Sequence, residues 1–324
     1  MRFIKAAVFA LLIFSSIALR VSANEIPNEK LFFNEIWAYL MSGEEQFFNV
    51  SYPITDLAYF AGEIDNFGKL SKVPKRSTLK NYKGRVHLVI AQVSNRALTH
   101  FALSSEFPLR KDLINDIGEA AKDYDGLQID FELVNVKDKE DFYSFLKALK
   151  KKIGKKPLSV AVGARTKYID DAYEYAELSK IVDRIIIMAY DEHWSGSKPG
   201  SIASMAWCQQ VAKYSASVIP QEKLVMGLPF YGRAWASSNP ARAYKFSAIL
   251  DLIKRKNVEL VQFKEGIPYF EYQETVNVTV YFENAATVVA RSGMYRDLKI
   301  KNIAFWRLGQ EEIISWNFLG VKNE

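Results

Sequence analysis

The 324-residue chain is 49% apolar and 25% charged, which can supply the core of one large α/β domain or two ordinary ones. Its 43 Lys and Arg stand against 37 Asp and Glu with no long basic run, a balance that gives nucleic acid little to bind. The single cysteine, Cys208, excludes an intramolecular disulfide, so stability must come from packing.

The first 23 residues read as a secretory leader. Arg2 and Lys5 precede the apolar run Ala6 to Ile13, and Val21-Ser22-Ala23 closes the segment. That run is too short for a membrane span, and nothing later reaches about 18 uninterrupted apolar residues. The expectation is a mature chain, 24–324, that is secreted or held in the periplasm or cell envelope, with no stable membrane insertion after cleavage. Leader removal leaves 40 basic against 37 acidic residues.

Short β-rich runs then alternate with helical stretches, the pattern of repeated βα units. Eight runs qualify: 35–40, 56–61, 86–93, 127–132, 158–163, 184–190, 224–229 and 302–307. Eight parallel strands in one domain imply closure into a (β/α)8 TIM barrel. After the fourth run, Asp138 is placed to cap a helix whose Phe142, Phe145, Leu146, Leu149 and Ile153 form one apolar stripe. After the sixth, Ser204 is placed to cap a helix with Trp207, Val211, Tyr214 and Val218 on one side, ended by Pro220. Cys208 lies beside that stripe and reads as a small core residue. About 70 residues separate the seventh run from the eighth, more than between any other pair. Within that gap Val276, Val278, Val280 and Phe282 alternate with Asn277, Thr279 and Tyr281, the period of a half-exposed antiparallel strand. A small α+β insertion lobe within 233–301 is therefore expected on the barrel rim.

The stretch Asp125-Gly126-Leu127-Gln128-Ile129-Asp130-Phe131-Glu132 departs from the near-continuous apolar run of an ordinary barrel strand. Residues two apart share a face, so Gln128, Asp130 and Glu132 point one way and Leu127, Ile129 and Phe131 the other. If the apolar face meets the helices, two carboxyls project into the barrel, where charge is costly unless paired, hydrogen-bonded or protonated. The alternative is an exposed edge strand with a solvated face. Two carboxyls roughly 7 Å apart at Cα, from the strand rise, can couple so that one keeps its proton near neutral pH. A protonated Glu132 at the C-terminal end of a barrel strand suits a general acid for glycosidic cleavage, whose departing alkoxide needs a proton.

That octapeptide resembles the D-G-x-D-x-D-x-E signature of family 18 glycoside hydrolases, the chitinase family. It departs at Gln128, where many members carry an aspartate. An amide there is similar to the peptidoglycan-cleaving and chitobiase-like branches, and leaves the proton-shuffling role of that position open. Met188-Ala189-Tyr190-Asp191 resembles the family's M-x-Y-D, and Gly227-Leu228-Pro229-Phe230-Tyr231-Gly232 its G-x-P-x-Y-G. Phe305-Trp306 resembles the tryptophan that floors the sugar pocket, and the insertion resembles the family's lobe. The run Tyr190 to Trp194 is most similar to bacterial spore-cortex lytic enzymes.

The resemblance implies substrate-assisted retention. Glu132 would protonate the leaving oxygen while the 2-acetamido carbonyl attacks the anomeric carbon, and would then act as general base for water. Asp130 would orient the acetamide and Tyr190 would hydrogen-bond its oxygen. Gln128, Asp191, Trp306, Tyr231 and Met188 are the implied substrate-binding residues. From the residues alone, Asp191 reads equally as a loop cap, Tyr231 and Trp306 as packing aromatics, and Asp125 as a strand support. The implied substrate is a polysaccharide or oligosaccharide containing N-acetylglucosamine, peptidoglycan ahead of chitin, cleaved at β-1,4 bonds by a monomer with no cofactor. His87, His100 and His193 are too scattered for a metal cluster. G-x-S-x-G, the P-loop pattern and G-x-G-x-x-G do not occur, so serine-hydrolase and nucleotide chemistry have no foothold. The alternative kept open is a catalytically weak, lectin-like chitin- or peptidoglycan-binding protein on the same barrel, motivated by Gln128. An endoglycosidase trimming N-glycans would share the chemistry.

Overall fold

A computed structural model describes residues 29–236, 239–273 and 277–322; the expected leader and Val276 lie outside them. Eight parallel strands close on themselves as a (β/α)8 TIM barrel. They are β1 (Glu35–Met41), β2 (Asp56–Ile64), β3 (Arg85–Gln92), β4 (Gly126–Phe131), β5 (Leu158–Gly163), β6 (Arg184–Met188), β7 (Leu224–Pro229) and β8 (Asn302–Trp306). Neighbours pair in chain order, and β8 pairs with β1 to close the ring. Some strands stop a residue or two short of the expected runs, at Gln92, Phe131, Met188 and Trp306. Beyond the end of β6, Asp191 takes a left-handed backbone with φ 58°, which turns the chain out of the barrel.

The alternation in β4 sorts its residues between two layers. Leu127, Ile129 and Phe131 pack outward against Phe142, Phe145, Leu146 and Leu149 of the helix Lys139–Ile153. The Phe131 and Phe145 rings lie 5.8 Å apart. Each such buried side chain contributes about 1.5–3 kcal/mol by removal from water. The barrel interior is instead filled by Trp37, Tyr39, Val89, Ile186 and Val225, on top of which the site rests. Asp138 stands at the N-cap of the helix without capping it. The preceding turn, Val136–Asp138, is already helical enough to take its φ,ψ out of the extended region, and its carboxylate pairs with His100 Nδ1 at 2.8 Å. Ser204 does cap the helix Met205–Val218, its Oγ accepting from the Trp207 N–H at 3.4 Å. That helix is centred on Cys208, Val211, Ala212 and Ser215, with Trp207, Tyr214 and Val218 flanking. Cys208 is thus at the middle of the buried stripe, and burial pushes its thiol up to about 11.

The N-terminal end of the barrel is closed by charge. Arg85 bridges Glu35 at 2.7 Å and Asp56 at 2.8 Å, and Arg184 reaches Glu35 at 2.7 Å. Burial alone would raise the Asp56 carboxyl, but His87 and Arg85 hold it down to about 2. Asp125 supports the start of β4, accepting from the Val86 N–H at 2.9 Å.

The insertion is an antiparallel sheet of Gly232–Ala236, Asn239–Tyr244, Gln262–Lys264, Ile267–Gln273 and Asn277–Tyr281, with one helix, Phe246–Arg255. Val278, Val280 and Phe282 enter a separate core with Ile249, Leu252, Ile253 and Phe270. Tyr281, expected to be exposed, is covered on the opposite face by Trp235 and Tyr231. The helix Ala285–Asp297 belongs to the barrel, since Val288, Val289 and Tyr295 join the barrel core. Between lobe and barrel, Glu283 and Arg291 form a fully buried ion pair at 3.0 Å, and Arg291 also donates to the Ala203 carbonyl beyond β6.

Candidate active site

At the C-terminal end of the strands lies a cavity of about 320 Å³. β4 and the residue after it carry three polar side chains at successive heights, two of which reach the cavity wall. Gln128 lies fully buried beneath the cavity, and Asp130 sits above it on the cavity wall, 4% exposed. Glu132 lies one residue past the ladder and stands open at the mouth, its N–H still donating to the Gln92 carbonyl at 3.1 Å.

Depth decides the proton affinities. Burial, with the Glu132 charge second, pushes the Asp130 carboxyl up to about 8. No donor reaches Asp130 Oδ1 to stabilise an anion there. Glu132 is also raised, by burial and then by the negative charge of Asp191. The sequence pattern assigns the retained proton to Glu132; the structure holds a proton more firmly on Asp130, because it is the deeper of the two.

Tyr190 follows β6 and lines the same cavity, its phenol pushed far up by burial. It fits there because β7 carries Gly227: a Cβ at that position would lie 2.7 Å from the Ile187 carbonyl oxygen and 3.1 Å from Tyr190 Cε1. Asp191 lines the cavity, and its Oδ1 accepts from the Tyr231 hydroxyl and from Arg233 Nη2, the latter at 2.7 Å. Trp306 ends β8 and packs against Tyr39 at 5.2 Å and edge-on to Phe60 at 5.0 Å. Met188 lies on the wall shared with an adjoining chamber of about 280 Å³, which also contains Glu132. In that chamber Arg165 is held by both oxygens of Asp171 at 2.8 Å.

The eight residues singled out in the sequence therefore gather at one end of the barrel, seven on the cavity wall and Gln128 beneath it. His193 does not join them; its Nδ1 contacts the Ser201 carbonyl at 2.8 Å. The sequence reasoning missed Arg233, Tyr39, Phe60 and Gln310, which also line the cavity. Arg233 was within reach, being two residues past Tyr231 and so on the same face of an extended segment. Gln310 lies in a loop, where no periodicity marks it. Among the described residues, no group of three His, Cys, Asp or Glu side chains is placed to hold a metal ion.

The family model described as glycosyl hydrolases family 18 matches residues 4–311. The chain belongs to glycosyl hydrolases family 18. As a family 18 member it is a glycoside hydrolase acting on glycans that contain N-acetylglucosamine. It is 26% identical over 262 residues to the uncharacterized glycosylase YvbX of Bacillus subtilis, covering 77% of this chain and 75% of that one. It is 26% identical over 291 residues to the cortical fragment-lytic enzyme of the same organism, covering 82% and 67%. The crystal structure of the Bacillus cereus spore cortex-lytic enzyme SleL superposes with a TM-score of 0.79 at 24% identity, covering 90% of this chain and 76% of that one. The barrel is thus that of family 18.

Proposed function

We propose that this family 18 enzyme cleaves β-1,4 bonds at N-acetylglucosamine in peptidoglycan or chitin-type glycans by substrate-assisted retention, with peptidoglycan the preferred polymer. The observation that carries the reading is the stacking of a deep, proton-holding Asp130 beneath an accessible Glu132, with Tyr190 on the same wall of a cavity large enough for one sugar ring. Glu132 gives its proton to the glycosidic oxygen as the C–O bond breaks. The acetamide carbonyl oxygen bonds to the anomeric carbon, forming an oxazolinium ion. Protonated Asp130 and the Tyr190 hydroxyl hold the acetamide in line for that attack, an orientation effect. Water then attacks the same carbon, the Glu132 carboxylate takes its proton, and the oxazolinium ring opens with net retention. Trp306 offers its face to the sugar, and Arg233 fixes the Asp191 carboxylate beside Glu132. The preference for peptidoglycan rests on the cortex-lytic names of the relatives. Export by the leader would bring the enzyme to that polymer.

Time-resolved mass spectrometry of products from N-acetylglucosamine oligomers and purified peptidoglycan tests this. The wild type is expected to release fragments ending in reducing N-acetylglucosamine, and Glu132→Gln to lose nearly all turnover. Saturable glycan binding without cleavage by the wild type would replace the hydrolytic mechanism with a lectin-like role.

A further inference from the structure

Gln128 is where this chain parts from the family signature, and both ends of its amide are engaged. Oε1 accepts from the Tyr39 hydroxyl at 2.6 Å, and Nε2 donates to Ser159 Oγ at 3.1 Å. Ser159 Oγ in turn donates to the Leu127 carbonyl at 3.4 Å, which leaves its lone pairs to accept from the amide and sets the amide's orientation. The Gln128 side chain is fully buried, so water does not compete for these bonds. An amide neither takes nor gives up a proton at working pH, so an acid that an aspartate would have placed here is missing.

The surroundings of Asp130 contain few other groups that change charge. Just past the end of its own strand it faces Glu132, from β1 Tyr39, from just past β6 Tyr190, and from the segment after β5 Tyr173. β3 places Ala91 beside it. Burial raises all three phenols, so each stays protonated while the carboxyls titrate. The cation on the cavity wall, Arg233, is committed to Asp191. Asp130 Oδ1 is left without a donor.

We propose that Gln128 is a positioning residue that locks Tyr39 beneath Trp306 and puts no proton-exchanging group below Asp130, so that Asp130 and Glu132 work as an isolated two-carboxyl unit in which loss of the first proton, from Glu132, sets the alkaline limit of activity. The link to activity rests on the hydrolytic mechanism proposed above; the proton count does not. Tyr39 joins the two halves of this arrangement, since its hydroxyl meets Gln128 while its ring lies 5.2 Å from that of Trp306. The Asp130 carboxyl, at about 8, carries the proton that is lost last.

The test is a carboxyl ¹³C NMR titration of the full chain alongside the pH profile of kcat on an N-acetylglucosamine oligomer. Wild type, Gln128→Asp, Gln128→Met and Tyr39→Phe are compared, with Asp130→Asn assigning the resonance. In the wild type, the Asp130 midpoint is expected near pH 8, and the alkaline limb of kcat below it, where Glu132 loses its proton. Gln128→Asp adds a third carboxyl at the bottom of the stack and moves both upward by at least about half a pH unit, because a neighbouring negative charge disfavours each further ionisation. Gln128→Met and Tyr39→Phe lower kcat severalfold and leave the limb in place. The proposal is overturned if Gln128→Asp leaves the midpoint where it was, or if Gln128→Met moves it as far as Gln128→Asp. Because the titration needs no turnover, loss of the hydrolytic mechanism and loss of this inference are separately visible.

Discussion

Replacing Asp130 with asparagine is expected to stabilise the protein, and to do so by an amount that grows with pH. The unfolded carboxyl releases its proton near pH 4, whereas the folded one holds it to about 8. Between those values the unfolded chain binds fewer protons than the native one, so native stability falls as pH rises and levels off above about 8. At 1.36 kcal/mol per pH unit, the two-unit gap at pH 6 corresponds to about 3 kcal/mol, and the full span to an upper bound of about 5–6 kcal/mol. An asparagine side chain has nearly the same shape and never ionises, so Asp130→Asn escapes this loss. Urea unfolding of both proteins at pH 4.5, 6 and 8 measures it: the difference in unfolding free energy should be small at pH 4.5 and several kcal/mol at pH 8. Parallel stability curves, with a difference that does not change with pH, would refute the placement of a proton-holding carboxyl at the bottom of the cleft.

Two further substitutions probe the frame around the site. Gly227→Ala puts a methyl group 2.7 Å from a backbone oxygen that cannot swing aside, and 3.1 Å from the Tyr190 ring. It should cost about 1–3 kcal/mol in thermal unfolding and lower kcat/KM by more than about tenfold through misplacement of Tyr190; unchanged kinetics would mean that the position of this ring does not matter. Arg291→Met strands the Glu283 carboxylate in a fully buried position and should destabilise by about 3–5 kcal/mol. The double variant Arg291→Met, Glu283→Leu should recover most of that, and a double variant as unstable as the single one would show that the lost packing, not the stranded charge, is responsible.

Local periodicity explains what could be read without the structure. A period of two in β4 separates Gln128, Asp130 and Glu132 from Leu127, Ile129 and Phe131, and the apolar set alone enters the core shared with the helices. The helix after it shows its stripe for the same reason. What could not be read depends on partners distant in sequence. Asp138 has the residue type and position of a cap, but His100, 38 residues earlier, takes its carboxylate. Tyr281 has the pattern of an exposed position, yet Trp235 and Tyr269 from other strands of the lobe sheet cover it, in a cluster that also takes in Tyr231. Asp130 and Glu132 look alike in the sequence, and only their difference in depth ranks their proton affinities.

The lobe's separate core has a consequence for how this cleft can be altered. Its first strand, Gly232–Ala236, carries Arg233 into the site and is bound to the barrel's chemistry, whereas the hairpin of Gln262–Lys264 and Ile267–Gln273 contributes no residue to the catalytic cavity other than through the sheet it completes. The tip of that hairpin, Glu265 and Gly266, takes positive φ values of 53° and 80°, the two-residue turn that suits the twist of antiparallel strands. It is accordingly a place where foreign sequence, such as an affinity handle or a wall-anchoring peptide, can be spliced in without disturbing Asp130 and Glu132.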